Sequence, residues 1–178
     1  MKVRKLILGA ATLTFGYAAL RQLSLTLPNG ITPVRQFDLG RYLGKWHEVG
    51  RIENRFERGL IRTTAEYSLN PDGSVRVVNR GFDPSSERHK EAIGLARFIG
   101  DPTVGALKVS FFWPFYGGYN VIDLDPDYGW AIVIGSSRKY FWVLSRNSTL
   151  TDDLKSRAKI TAIAAGVDPE RIYWVPQG

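Results

Sequence analysis

Cysteine is absent from all 178 residues. That excludes disulfides, a thiol nucleophile, thiolate metal sites and lipid attachment at a cysteine. It does not choose a compartment, because a domain of this length can be stable without disulfides. Histidine is nearly as scarce: His47 and His89 are the only two, and neither stands in a metal spacing such as H-E-x-x-H. No G-x-S-x-G elbow and no phosphate-binding loop occurs. These gaps predict a protein that is not an enzyme and uses no metal and no cofactor. Acidic residues are missing before position 22, where Lys2, Arg4, Lys5 and Arg21 stand, so only +3 of the formal +7 belongs to the rest of the chain. No basic run interleaved with aromatics follows, and nucleic acid is not an expected partner.

What is present starts with "MKVRK", a positive stretch, followed by "LILGAATLTFGYAAL", an uncharged apolar run of 15 residues from Leu6 to Leu20. The length suits a signal peptide and is short for a membrane span, which needs about 20 apolar residues. No clean A-x-A cleavage signal appears, so residues 1–23 read as a signal peptide or a short signal anchor, and export to the cell envelope is expected. Residues 24–37 carry Pro and Gly punctuation and read as a linker. Residues 38–178 are left for one globular domain, in a chain that is 44% hydrophobic and 12% aromatic.

From Lys45 the sequence is almost all strand. "WHEVGRIEN", "TTAEYSL", "SVRVVNRGF", "KEAIGLARFIG", "GALKVSFFW", "GGYNVIDLD", "YGWAIVIGS" and "YFWVLSR" follow one another across short turns such as Asn70-Pro71-Asp72-Gly73. Eight strands in meander order predict an all-β fold, an eight-stranded antiparallel up-and-down barrel, since closure removes exposed edges. Such a barrel has room for one small ligand. One helix comes after it: Thr151 caps it, Asp152 and Asp153 favour its first turn, and Leu154, Ala158, Ala162 and Ala165 form a narrow stripe suited to close packing outside the barrel. "RIYWV" is a short closing strand.

Three motifs in order add a family resemblance. "GRYLGKWHEVGR" carries Gly44 and Trp46, "DLDPDYGWAIV" carries Asp127 and Tyr128 with Pro126 in place of Thr, and "FWVLSRNSTL" carries Arg146. The set resembles the lipocalin signatures. Longer strings, "RFERGL", "YSLNPDGSVRVVNRGF", "ALKVSFFWPFYGGYNVIDLD" and "WVLSRNSTLTDDL", are similar to the bacterial outer-membrane lipocalin subgroup and its apolipoprotein D-like relatives. The resemblance implies a barrel that binds a fatty acid or lysophospholipid and serves envelope maintenance. It also implies that Arg146 lies over Trp46 and closes the narrow end, a structural role. The typical bacterial member is anchored through an N-terminal cysteine, which is missing here, so any anchoring is expected through the apolar segment itself.

Alternation of strand faces proposes a lining: Ala65, Tyr67 and Leu69; Val77 and Asn79; Gly94, Ala96 and Phe98; Leu107, Val109 and Phe111; Tyr119 and Val121; Ala131 and Val133; Trp142 and Leu144. Ligand contacts are expected among Tyr67, Asn79, Phe98, Val109, Phe111, Tyr119, Val121, Val133 and Trp142, with "core filler" open as the other reading of each. Asp123 falls on the inward parity, so either it meets polar partners near the floor or the register slips there. Odd strands run away from Trp46, which puts "FFWPFYGGY" on the open rim, where Phe112, Trp113, Phe115 and Tyr116 face an incoming acyl chain, a membrane surface or a second copy in a homodimer. Arg55, Arg58 and Arg62 are candidates for attracting anions near the mouth. The alternative to a lipid carrier is an envelope protein that docks on a partner or membrane through this aromatic rim.

Overall fold

The computed structural model describes residues 27–178; the basic and apolar N-terminal stretch, and with it the choice between signal peptide and anchor, lies outside the described residues. A short helix α1 (Leu39–Tyr42) leads into eight strands, β1 (Gly44–Ile52), β2 (Ile61–Leu69), β3 (Val75–Asp83), β4 (Arg88–Phe98), β5 (Ala106–Phe112), β6 (Phe115–Leu124), β7 (Trp130–Ile134) and β8 (Phe141–Ser145). Helix α2 (Asp152–Ala164), a 3₁₀ turn and a short strand β9 (Ile172–Trp174) complete the chain. Every neighbouring pair is antiparallel, and β1 joins both β8 and β2, so the meander closes on itself as the strand count predicts. Strand β9 lies outside the ring, against the far end of β1.

Turn chemistry sets the direction of each strand. Between β2 and β3, Gly73 takes φ +77° and its N–H donates to Asn70 O at 3.0 Å, a left-handed position that glycine occupies without steric cost. Trp46 stands at the start of β1, so the turns after β2, β4 and β6 share its end of the barrel. The β1–β2 loop and the turns after β3, β5 and β7 form the other end.

Two apolar cores result from the alternation. The inner one gathers Trp46, Tyr67, Val77, Ala96, Leu107, Val121, Val133 and Leu144 inside the barrel. The outer one places Leu154, Ala158 and Ala162 of α2 against Val49, Ile132, Ile134, Phe141 and Val143. Ala158 and Ala162 are fully buried, so the narrow stripe brings the helix close to the sheet. Thr151 caps α2 through its side chain, which accepts from Leu154 N.

Asp123 settles between its two readings. The register shifts between Val121 and Asp123, and the carboxylate points out to α2, where it accepts from Arg157 Nε at 2.6 Å, Arg157 Nη2 at 2.8 Å and Thr161 Oγ1 at 2.6 Å. The bulge adds one residue and flips the face. Leu69, read as inward, is instead 55% exposed. The β1–β2 ladder stops at Gly44↔Tyr67, so Leu69 lies past the last rung on that side, with a strand partner, Val75, on the β3 side.

Residues 27–37, read as part of a linker, run along the barrel wall. Asn29 O accepts from Arg138 Nη2 in the β7–β8 turn, and Val34 bonds in both directions, to Val121 O at 2.8 Å and from Gly105 N at 2.9 Å. Phe37 is buried in the inner core.

Candidate functional site

One end of the barrel is sealed from the side of α1. Trp46 is fully buried and its Nε1 donates to Tyr42 O at 2.8 Å. The Arg146 guanidinium lies 3.8 Å from the centre of the indole and donates to Lys45 O, Arg41 O and Leu43 O at 2.8 to 2.9 Å. Those carbonyls belong to the last turn of α1 and the first residues of β1, where no ladder or helix partner takes all of them. Gly44, at φ +92°, passes under the guanidinium. Tyr128, also at positive φ, is buried beneath Arg41, and its hydroxyl accepts from Asp38 N at 2.8 Å. Asp127 stands exposed in the β6–β7 turn.

Above this floor the lumen is lined as alternation predicts. Tyr67, Val121 and Val133 are buried in the inner core, and Phe98, Val109, Phe111, Tyr119 and Trp142 pack against it part-buried. Asn79, half-buried, shares the face of Val75 and Val77 and stands nearer the open end. The void left inside, bounded among others by Tyr42, Tyr67, Val77, Val109 and Tyr119, is about 10 Å³, roughly the room one water needs. At this level side chains of the barrel close in on one another. A larger guest there must displace rings that bound the void, such as Tyr67 and part-buried Tyr119.

A cluster of hydroxyls stands in the wall. The hydroxyls of Tyr42 and Tyr67 each lie 2.7 Å from that of Tyr119. Burial pushes all three phenols above their ordinary value, so they stay protonated. Three hydroxyls carry three hydrogens and the two contacts use two, which leaves one donor for a guest or a water. Tyr67 and Tyr119 were legible from alternation. Tyr42 and Phe37 were not, because they reach the lumen from outside the strands.

At the open end, Phe112, Trp113 and Phe115 are 72%, 83% and 77% exposed, and Phe56 of the β1–β2 loop joins them at 59%. Tyr116 is exposed at the outer wall, with Lys108 Nζ 4.9 Å from its ring. Of the three arginines proposed near the mouth, Arg55 lies over Phe56, Arg62 lies over Phe82 and Arg58 is exposed, so none enters the lumen.

The family model described as a lipocalin-like domain matches residues 37–177. The chain is a lipocalin. Among curated proteins it is 47% identical over 171 residues to the outer membrane lipoprotein Blc of Escherichia coli K12, covering 96% of each chain. It is 46% identical over 167 residues to the Blc lipoprotein of Citrobacter freundii, covering 94% of each. Mouse apolipoprotein D is a more distant relative, 28% identical, with 82% of this chain and 80% of that protein covered. The solved structure of insecticyanin from Manduca sexta superposes with a TM-score of 0.65 at 19% identity, covering 85% of this chain and 88% of that one, and supports the fold.

This lipocalin also holds a buried charge cluster that the sequence did not reveal. Arg51 is fully buried under the β1–β2 loop and donates to Glu48 Oε1 at 2.9 Å, Glu53 Oε1 at 2.8 Å and Leu60 O at 2.9 Å. Nearby, Glu57 accepts from Asn54 Nδ2, and from Trp142 Nε1 at 3.1 Å. Burial, followed by repulsion from Glu57, pushes the Glu48 carboxyl from its ordinary 4.5 up to about 8 against the pull of Arg51. A raised carboxyl holds its proton in the folded state through the window where the unfolded chain has released it. Its contribution to stability is therefore complete below 4.5 and is lost as pH rises toward about 8. Glu48→Gln should flatten that decline. Urea midpoints at about pH 5 and about pH 8 check this. A variant that keeps the wild-type slope would show that another group titrates.

Proposed function

We propose that the barrel binds a fatty acid or a lysophospholipid and stores or carries it in maintenance of the cell envelope. The observation that supports this reading is the lumen itself: sealed at one end by Trp46 and Arg146, and lined mainly by apolar side chains with the tyrosine hydroxyls among them. Burying an acyl chain gains about 0.8 kcal/mol per CH₂ before entropy and head-group costs, enough to swing part-buried rings aside. The relatives named as outer membrane lipoproteins support the envelope setting. The Asn29–Arg138 contact holds Asn29, among the first described residues, beside the β7–β8 turn at the open end, so attachment through the N-terminal segment would favour a mouth turned toward the membrane.

Titrating delipidated protein with oleate or lysophosphatidylglycerol should change Trp142 emission, and native mass spectrometry should show the adduct. Val109→Asp, at a part-buried lumen position, should weaken binding at least about tenfold while circular dichroism stays that of the wild type. No adduct and no emission change in the wild type would remove the carrier reading. The exposed rings at the rim favour a second reading, docking on a membrane or partner. Sedimentation with vesicles in the absence of any bound lipid would leave that one standing.

A further inference from the structure

The outer wall carries a groove larger than the void inside. It has a volume of about 400 Å³ and runs between β4 and β5 from Arg76 to Trp113, which places it in the range of about 300–1,000 Å³ usual for small-molecule sites. Its origin is a break in the sheet. The β4–β5 ladder ends at Leu95↔Ser110, although β4 continues to Arg88 and β5 to Phe112. Phe111 fills the gap by lying on Gly94, where an added Cβ would meet its ring at 2.8 Å. One ring therefore separates the groove from the lumen.

The groove's chemistry is amphipathic. Ile93, 52% exposed, joins Leu95, Phe111, Trp113 and Tyr116 in an apolar stretch. Arg76 stands at the opposite end, exposed and without an ion pair among the described residues, and no carboxylate lines the groove. Ser110 in the wall is 8% exposed, and its Oγ finds no hydrogen-bond partner among the described residues. A buried hydroxyl in a native protein is normally satisfied.

We propose that this groove is a second lipid site, outside the barrel, for a single-chain anionic amphiphile: the head group on Arg76, the chain across Ile93 and Leu95 toward Trp113. It stands independently of the lumen reading. Native mass spectrometry of the full chain with oleate should show two bound molecules. Arg76→Glu and Ile93→Asp, both at exposed positions that tolerate a charge, should each weaken one of the two at least about tenfold. Val109→Asp should remove only the other. Monoolein, with the same chain and no charge, should fill the groove at least about tenfold more weakly than oleate.

A single oleate per chain that ignores Arg76→Glu and Ile93→Asp would overturn the groove and leave the lumen reading intact. Two oleates equally indifferent to both variants would overturn it as well. One oleate lost with the groove variants and untouched by Val109→Asp would uphold the groove and end the lumen reading. No oleate at all would end the groove, and would leave the lumen reading to its lysophosphatidylglycerol titration.

Discussion

Above about pH 8, where Glu48 is ionised, Arg51→Met is expected to lower the unfolding free energy by about 3–5 kcal/mol, the range for removing one partner of a buried ion pair. The guanidinium has no contact with solvent, and three acceptors depend on it: two carboxylates and the Leu60 carbonyl. Met restores the volume and none of the donors, so Glu48 and Leu60 O stay buried without their partner. Pairing the change with Glu48→Leu should recover most of the loss, because an apolar pair of similar volume avoids both the desolvation and the orphaned acid. Urea denaturation of the two single variants and the double one measures the coupling. A loss under about 1 kcal/mol for Arg51→Met would mean the cluster relaxes into water and does not hold the β1–β2 loop. The consequence also reaches the mouth, since Leu60 ends that loop and Glu57 within it holds the indole of Trp142.

That cluster was hidden from the sequence for a definite reason. Glu48 and Arg51 are three positions apart on one strand, and strict alternation sends such residues to opposite faces. The register between β1 and β8 shifts between Glu48 and Gly50, and the bulge brings the two side chains together. The same device turned Asp123 outward on β6. Where the pleat is regular, one anchor fixes the face of a whole strand: Trp46 inside implies Ala65 and Tyr67 opposite, and from them Val77 and Ala96 around the ring. Barrel, strand order, helix cap and most of the lining were legible on that basis. The bulge on β6 showed only as a charge on the inward parity at Asp123, with two readings left open, and the one on β1 that joins Glu48 to Arg51 was not read.

The opposite limit applies to features made by what strands fail to do. Nothing in "KEAIGLARFIG" or "GALKVSFFW" says that only Leu95 to Phe98 pair with β5, so the outer groove has no signature in the sequence. Phe37 and Tyr42 were missed for a third reason. They stand in segments without periodicity, and only the folded path of α1 under the floor brings their rings to within 5.0 Å of each other inside the barrel.

The floor carries the second large expectation. Arg146→Ala should cost about 2–4 kcal/mol, from charge-assisted bonds to the carbonyls of Arg41, Leu43 and Lys45 and a cation–π contact with Trp46. Arg146→Lys should recover little of it, since an ammonium has no planar fork with which to meet three carbonyls while lying flat on an indole. Urea melts give the cost, and near-ultraviolet circular dichroism follows the environment of Trp46. The preference between oleate and lysophosphatidylglycerol should stay within about threefold of the wild type, because Arg146 lies beneath the indole and the Tyr42 ring, away from the lumen walls. A variant that melts like the wild type but changes its preference would make Arg146 a ligand-recognition residue and would place the bottom of the binding site at the guanidinium.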